Sequence, residues 1–172
     1  SGQSRPLPGS VSIAATRELA RAKQYHQIKF VCEIPQNLPP VAMESGGIQL
    51  LLGHLLDNAF EASPKDGRVR LSAKLVEWTA EDIVGYLGNP STGPHVEIRL
   101  HDEGPAISDE IQRRMFVQPF FTTKPTGKGT GLGLSLAYDI VTKGHGGKMK
   151  MDSTEGEGTA FMITLPAKTN SQ

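Results

Sequence analysis

Residues 148–165 read KMKMDSTEGEGTAFMITL. Two short strand-like segments, 148–153 and 160–165, flank a glutamate–glycine turn at 155–158, the pattern of a β-hairpin. Strands joined by so short a turn run antiparallel, whereas a purely parallel sheet needs long crossovers. Helical and strand-like segments are interspersed upstream of the hairpin, so the sheet is expected to be mixed. The predicted fold class is α/β, a two-layer α/β sandwich with one mixed sheet and helices on one face.

Working back from the hairpin, residues 132–143 predict a helix and 116–130 a long loop rich in Thr, Lys, Pro and Gly. A short helix over 109–115 follows the turn DEGPAIS at 102–108. Residues 95–101 alternate as a strand through Val96, Ile98 and Leu100, as do 68–78, with an irregular excursion over 79–94 between them. The most legible helix starts at Ile48. Leu51, Leu52, Leu55, Leu56 and Ala59 recur at the spacing of one buried face, His54, Asp57, Asn58 and Glu61 fall opposite, and Pro64 and Gly67 end it. Before it come a strand over 28–34, closed by Pro35, Pro39 and Pro40, and a helix over 10–27 carrying Ile13, Leu19 and Ala20. Residues 1–9 read as a flexible leader and 168–172 as a tail, giving one domain over 10–167.

A chain of 172 residues with 37% hydrophobic and 21% charged residues suits one ordinary core. Its 18 basic and 18 acidic residues cancel, so no basic face argues for nucleic acid. No apolar run reaches the roughly 20 residues that span a bilayer. Cys32 is the one cysteine, which excludes an internal disulfide and a cysteine metal cluster; amid Ile28, Phe30, Val31 and Ile34 it reads as core filling. A cytoplasmic setting fits this composition. The 19 glycines are uneven, with many crowded between Gly127 and Gly158, where backbone must turn tightly or approach something closely.

Three places carry candidate chemistry. His54 and Asn58, four residues apart, project from one side of their helix, where an amide oxygen suits a hard cation such as Mg²⁺; a solvated polar face is the plainer alternative. Asp102 ends a strand in a turn containing Gly104, placed either to accept a hydrogen bond from a base's amino group or to cap the following helix near Ser108. The run GKGTGLGLS at 127–135 sets glycines at alternate positions and leads into a helix. Exposed backbone amides at a helix start, with Lys124 and Lys128 nearby, make an anion site, although the spacing matches neither the P-loop nor the dinucleotide fingerprint. A flexible linker is the alternative there. No H-E-x-x-H, C-x-x-C, G-x-S-x-G, H-R-D or D-F-G motif occurs. His26, His95, His101 and His145 show no metal-ligand spacing and read as ordinary surface or strand residues, and Trp78 offers no functional clue.

Taken in order, these runs resemble the boxes of the sensor histidine kinase ATP-binding domain. HLLDNAFEAS (54–63) resembles the N box, DEGPAI (102–107) the G1 box, MFVQPFFTTK (115–124) the F box and GKGTGLGLSLA (127–137) the G2 box; residues 146–166 look like the closing hairpin. The resemblance covers roughly residues 10–167. It implies the Bergerat sandwich shared with gyrase B and MutL, with ATP and Mg²⁺ as ligands. By that resemblance Asn58 binds the Mg²⁺ that bridges the phosphates. Asp102 receives the adenine amino group, Gly104 gives the base room and Thr159 supports the contact through water. Phe120 and Phe121 lie at the base of an ATP lid. Gly127, Gly129, Thr130, Gly131, Leu132 and Gly133 surround the phosphates, and Lys124 and Lys128 are phosphate partners.

The chain departs from the family at several positions. G1 usually reads D-N-G-x-G, where this chain has Glu103 and Ala106. His54 takes the first N-box position, often asparagine in kinases and a water-activating glutamate in the ATPase relatives. Glu61 stands where many kinases have lysine. The implied reaction moves the γ-phosphoryl of ATP to a histidine on a separate dimerisation domain of the same parent, with a response regulator downstream. This chain has no H-[DE]-x-[RK]-x-P sequence to supply that histidine, so self-phosphorylation is not expected of it. A gyrase-type ATPase and a nucleotide-sensing pseudokinase are the alternatives.

Overall fold

A computed structural model of the chain describes residues 28–41, 45–84, 91–117, 141–142 and 146–168. Within them, strand β1 (Lys29–Glu33) leads to helix α1 (Ser45–Ala62), then to strands β2 (Arg68–Trp78) and β3 (Gly93–Asp102). Helix α2 (Asp109–Val117) follows, and β4 (Lys148–Thr154) and β5 (Gly158–Pro166) complete the order. The sheet runs β1-β2-β3-β5-β4. β1 pairs parallel with β2 and every other pairing is antiparallel, so the mixed sheet expected from the closing hairpin is what forms. Predicted and observed elements differ only at their ends: α1 starts three residues before Ile48, and β3 extends to Gly93 and Asp102. The predicted loop over 116–130 begins two residues later, because Phe116 and Val117 close α2; the rest of that loop, the predicted helix over 10–27 and most of the helix over 132–143 lie outside the described residues.

Register explains the core. Strand residues on one face line up in rows across the sheet: Leu71–Leu100–Phe161–Met151 and Ala73–Ile98–Ile163–Met149. Against these rows α1 packs Leu51, Leu52, Leu55, Leu56, Ala59 and Phe60, all buried. Each of the leucines and Phe60 contributes on the order of 1.5–3 kcal/mol by leaving water. Cys32 is half-buried against this core, as expected of a small apolar filler.

The other face carries charge. Lys74 lies directly opposite Glu97 with 3.9 Å between their charged atoms, and Arg70 reaches Glu33 at 3.4 Å. Exposed pairs of this kind contribute at most about 1 kcal/mol each; they mark the part of this face that water reaches. The described apolar helix face therefore sits on one side of the sheet, which makes the two-layer sandwich.

Candidate functional site

The apolar rows stop one step short of the end of the sheet. The next row reads Val69–Asp102–Thr159–Ser153, because Asp102 pairs with Val69 and Thr159, and Thr159 pairs with Ser153. Three polar side chains thus stand side by side on the face that is otherwise core. Asp102 and Thr159 are 5% and 2% exposed. Burying polar groups is costly unless they are bonded, and here they are bonded to one another's loops. The Gly104 amide donates to Asp102 Oδ1 at 2.8 Å, the Ile107 amide donates to Ser153 Oγ at 2.7 Å, and Ser153 Oγ lies 2.8 Å from Thr159 Oγ1.

The turn after β3 is pinned from several sides. Glu103 Oε1 accepts from the Arg68 amide at 2.7 Å, which closes the exposed start of β2. His101 Nε2 donates to the Glu157 carbonyl at 2.7 Å, tying β3 to the β4–β5 turn. Ser108, not Asp102, caps α2: its Oγ accepts from the Ile111 amide at 3.3 Å. Of the two roles open to Asp102 in the sequence, helix capping is excluded, since the carboxylate bonds within its own turn instead.

Two glycines make this geometry possible. A Cβ on Gly104 would lie 2.6 Å from the Ala62 carbonyl and 2.8 Å from Asp102 Oδ1, so the turn rests directly on the end of α1. Gly158 has φ +83°, and a Cβ there would overlap the Asp102 carbonyl at 2.0 Å. The hairpin turn therefore leans on the Asp102 backbone through a residue that only glycine satisfies.

Burial pushes the Asp102 carboxyl above its ordinary value, while the Gly104 amide and the charge of His101 pull it back. Its Oδ1 is held by Gly104, and among the described residues no hydrogen bond engages Oδ2, which leaves an acceptor. Beside this turn lies a cavity of about 550 Å³ lined by Glu103–Ala106 on one side and Glu155–Gly158 on the other. Three glutamates on its walls repel phosphate, so this end suits the uncharged part of a nucleotide.

α1 brings its own stripe. His54, Asp57 and Asn58 are half-buried and Glu61 is exposed, all on the side away from the leucines. Among the described residues no group of three His, Cys, Asp or Glu side chains is arranged to hold a metal by itself. One amide oxygen with neighbouring carboxylates does suit an ion held mostly by phosphate oxygens and water. Phe120, Phe121, Lys124, Lys128, Gly127, Gly129, Thr130, Gly131, Leu132 and Gly133 lie outside the described residues.

Ser153 and the Ile107 amide escaped the sequence reading. A signal for Ser153 existed: in KMKMDST the alternate positions Met149 and Met151 face the core, and Ser153 is the next member of that series.

A mixed sheet with an apolar helix on one face, and a buried carboxylate where its central strand meets a glycine-supported turn, define a two-layer α/β sandwich with a polar pocket at one end of the sheet. The chain belongs to the family described as "Histidine kinase-, DNA gyrase B-, and HSP90-like ATPase", whose model matches residues 43–169. It is 31% identical over 145 residues to sporulation kinase E of Bacillus subtilis, covering 84% of this chain and 17% of that protein. It is 36% identical over 131 residues to the sensor kinase CckA of Brucella abortus, covering 76% and 14%. This chain thus spans less than a fifth of either relative. Among solved structures, the catalytic domain of the histidine kinase ThkA superposes with a TM-score of 0.63 at 28% identity, covering 90% of this chain and 86% of that one.

Proposed function

We propose that this chain is the ATP-binding catalytic domain of a two-component sensor histidine kinase. It passes the γ-phosphoryl of ATP to a histidine on a separate dimerisation domain of its parent, which in turn serves a response regulator. The observation that carries the reading is the Asp102 carboxylate, buried at the end of β3 with Oδ1 fixed by the Gly104 amide. A carboxylate so held is an acceptor of fixed direction, the chemistry needed for the adenine amino group.

In this reading the base lies against Asp102, Gly104 and Thr159, and the triphosphate runs away from the glutamates toward α1. Asn58 offers its amide oxygen to Mg²⁺, which neutralises phosphate charge when bound. Lys124, Lys128 and the run from Gly127 to Gly133, with Thr130 and Leu132, enclose the phosphates, and Phe120 and Phe121 anchor that lid. This chain's contribution is positioning and electrostatic stabilisation. His54 favours the kinase over the ATPase alternative, because water activation in the ATPase relatives uses a glutamate at that position. The domain spans residues 10–167. No described helix is long and apolar enough to cross a membrane, and an anchor elsewhere in the parent is compatible with the reading.

The test is calorimetric titration of Mg·ATP and Mg·ADP into the chain and its Asp102→Asn variant. The variant should lose about 1.5–3 kcal/mol, roughly ten- to 150-fold in affinity. Equal binding by both proteins removes Asp102 from adenine recognition. γ-Labelled ATP should leave no covalent label on this chain alone, and should label an added histidine domain of its parent.

A further inference from the structure

The polar row contains one group that adenine binding does not yet explain. Ser153 stands on β4, one strand beyond Thr159 and two beyond Asp102. Its oxygen accepts the Ile107 amide at 2.7 Å and lies 2.8 Å from the Thr159 oxygen. A hydroxyl has one proton and two acceptor sites. The Ile107 amide takes one of the two acceptor sites on Ser153 Oγ, and among the described residues Thr159 Oγ1 is the acceptor beside the serine proton, so donation from Ser153 to Thr159 satisfies the serine proton. Thr159 then receives from Ser153 and has its own proton to give elsewhere.

The purine determines where that proton is useful. In adenine, the amino nitrogen that donates to a carboxylate is bonded to the carbon next to N1, and N1 accepts a hydrogen bond. A site that presents an acceptor to the amino group reads this edge of the base fully when it also presents a donor to N1. Thr159 is the cross-strand neighbour of Asp102 on the same face, so its hydroxyl is the group to supply that donor, directly or through one water.

We propose that Ser153 is a positioning residue that orients the Thr159 hydroxyl as a donor toward adenine N1, and that the Ile107 amide holds the serine oxygen in place from the turn after β3. The proposal rests on the ATP reading of the site and adds how the site tells an N1 acceptor from its absence. It also joins two segments: the turn that carries Asp102 and the strand that carries Thr159 are aligned by the same serine oxygen.

The test compares ADP with 1-deaza-ADP, in which N1 is replaced by C–H, by calorimetry on the wild type, Ser153→Ala, Ser153→Thr and Thr159→Val. The wild type should prefer ADP by about tenfold, the worth of one well-formed hydrogen bond in a buried site. In Ser153→Ala that preference should shrink to about two- to threefold. Ser153→Thr, which keeps the hydroxyl, should restore it, and Thr159→Val should abolish it.

A merely structural serine gives another pattern: Ser153→Ala weakens both ligands equally and the tenfold ratio survives, which overturns the proposal. Survival of the ratio in Thr159→Val overturns it independently, even if Ser153→Ala proves unfolded. A wild type that binds both ligands equally also overturns it while leaving the ATP reading intact. A wild type that binds neither ligand removes the ATP reading and the proposal together.

Discussion

The two ends of this sheet bury polar groups in opposite ways. At the Asp102 end, on the helix-facing side, Asp102, Thr159 and Ser153 are joined through backbone amides of the neighbouring turn. At the other end, on the outer face, Lys148 is 2% exposed, yet among the described residues its Nζ has no hydrogen-bond partner, and it sits 3.8 Å from the centre of the Trp78 ring. His95, fully buried beside it, donates from Nδ1 to the Gly93 carbonyl at 2.8 Å and meets Ser91 Oγ through Nε2 at 3.2 Å. The first end arranges hydrogen bonds around an open acceptor. The second covers a cation with an aromatic face, an attraction of about 2 kcal/mol when desolvated, which does not replace the lost hydration of an ammonium.

The titration of the two ends differs in sign as well. Burial raises Asp102, so its charged form is disfavoured by folding. That cost is present at neutral pH and is relieved as the pH falls through the raised folded value toward the ordinary carboxylate range. Burial lowers Lys148, with the nearby Asp82 charge opposing, and lowers His95, with the Gly93 carbonyl opposing. Those groups bind fewer protons folded than unfolded, so the stability they leave to the protein rises with pH over their own ranges.

The sharpest way to break the contrast is Gly158→Ala. Left-handed backbone and overlap with the Asp102 carbonyl act together, so a loss of about 3 kcal/mol or more is expected in urea unfolding. A loss under about 1 kcal/mol would show that the hairpin turn does not rest on Asp102. Lys148→Met tests the opposite end. Replacing a buried ammonium that no described residue hydrogen-bonds by a chain of similar shape should be neutral or stabilising by up to about 2 kcal/mol, with ADP affinity unchanged. Clear destabilisation would mean that the Trp78 contact outweighs desolvation.

The smallest effect concerns pH. Neutral His95 is favoured by the fold, so stability should be full above its unfolded value near 6.5 and decline as pH falls below it. His95→Gln should flatten that decline in thermal melts between about pH 5 and 7.5. An unchanged slope would assign the acid limb to other groups.

Much of this was legible in the chain. The leucine spacing of α1 gave its buried face, and the closing hairpin gave the mixed sheet. Asp102, Gly104 and Thr159 were singled out by their place in turns and by the family pattern. His95, read as an ordinary surface or strand residue, is a strand residue but not a surface one: alternation puts it on the outer face, and only the structure shows that end of the face covered. Trp78, which carried no signal in the sequence, is what receives the Lys148 ammonium. Gly104 was expected to give room to a base, and its missing side chain is seen to make room for the Ala62 carbonyl of α1.

The sequence by itself determined which residues face the core and which types of group stand at the strand ends, because side-chain direction follows from a period of two in strands and 3.6 in helices. Tertiary structure alone decided that Asp102, Thr159 and Ser153, up to 57 positions apart in the chain, form one row. Strand order and register are properties of pairing between distant segments, set by the packing of the whole sheet on α1 and not by any local pattern.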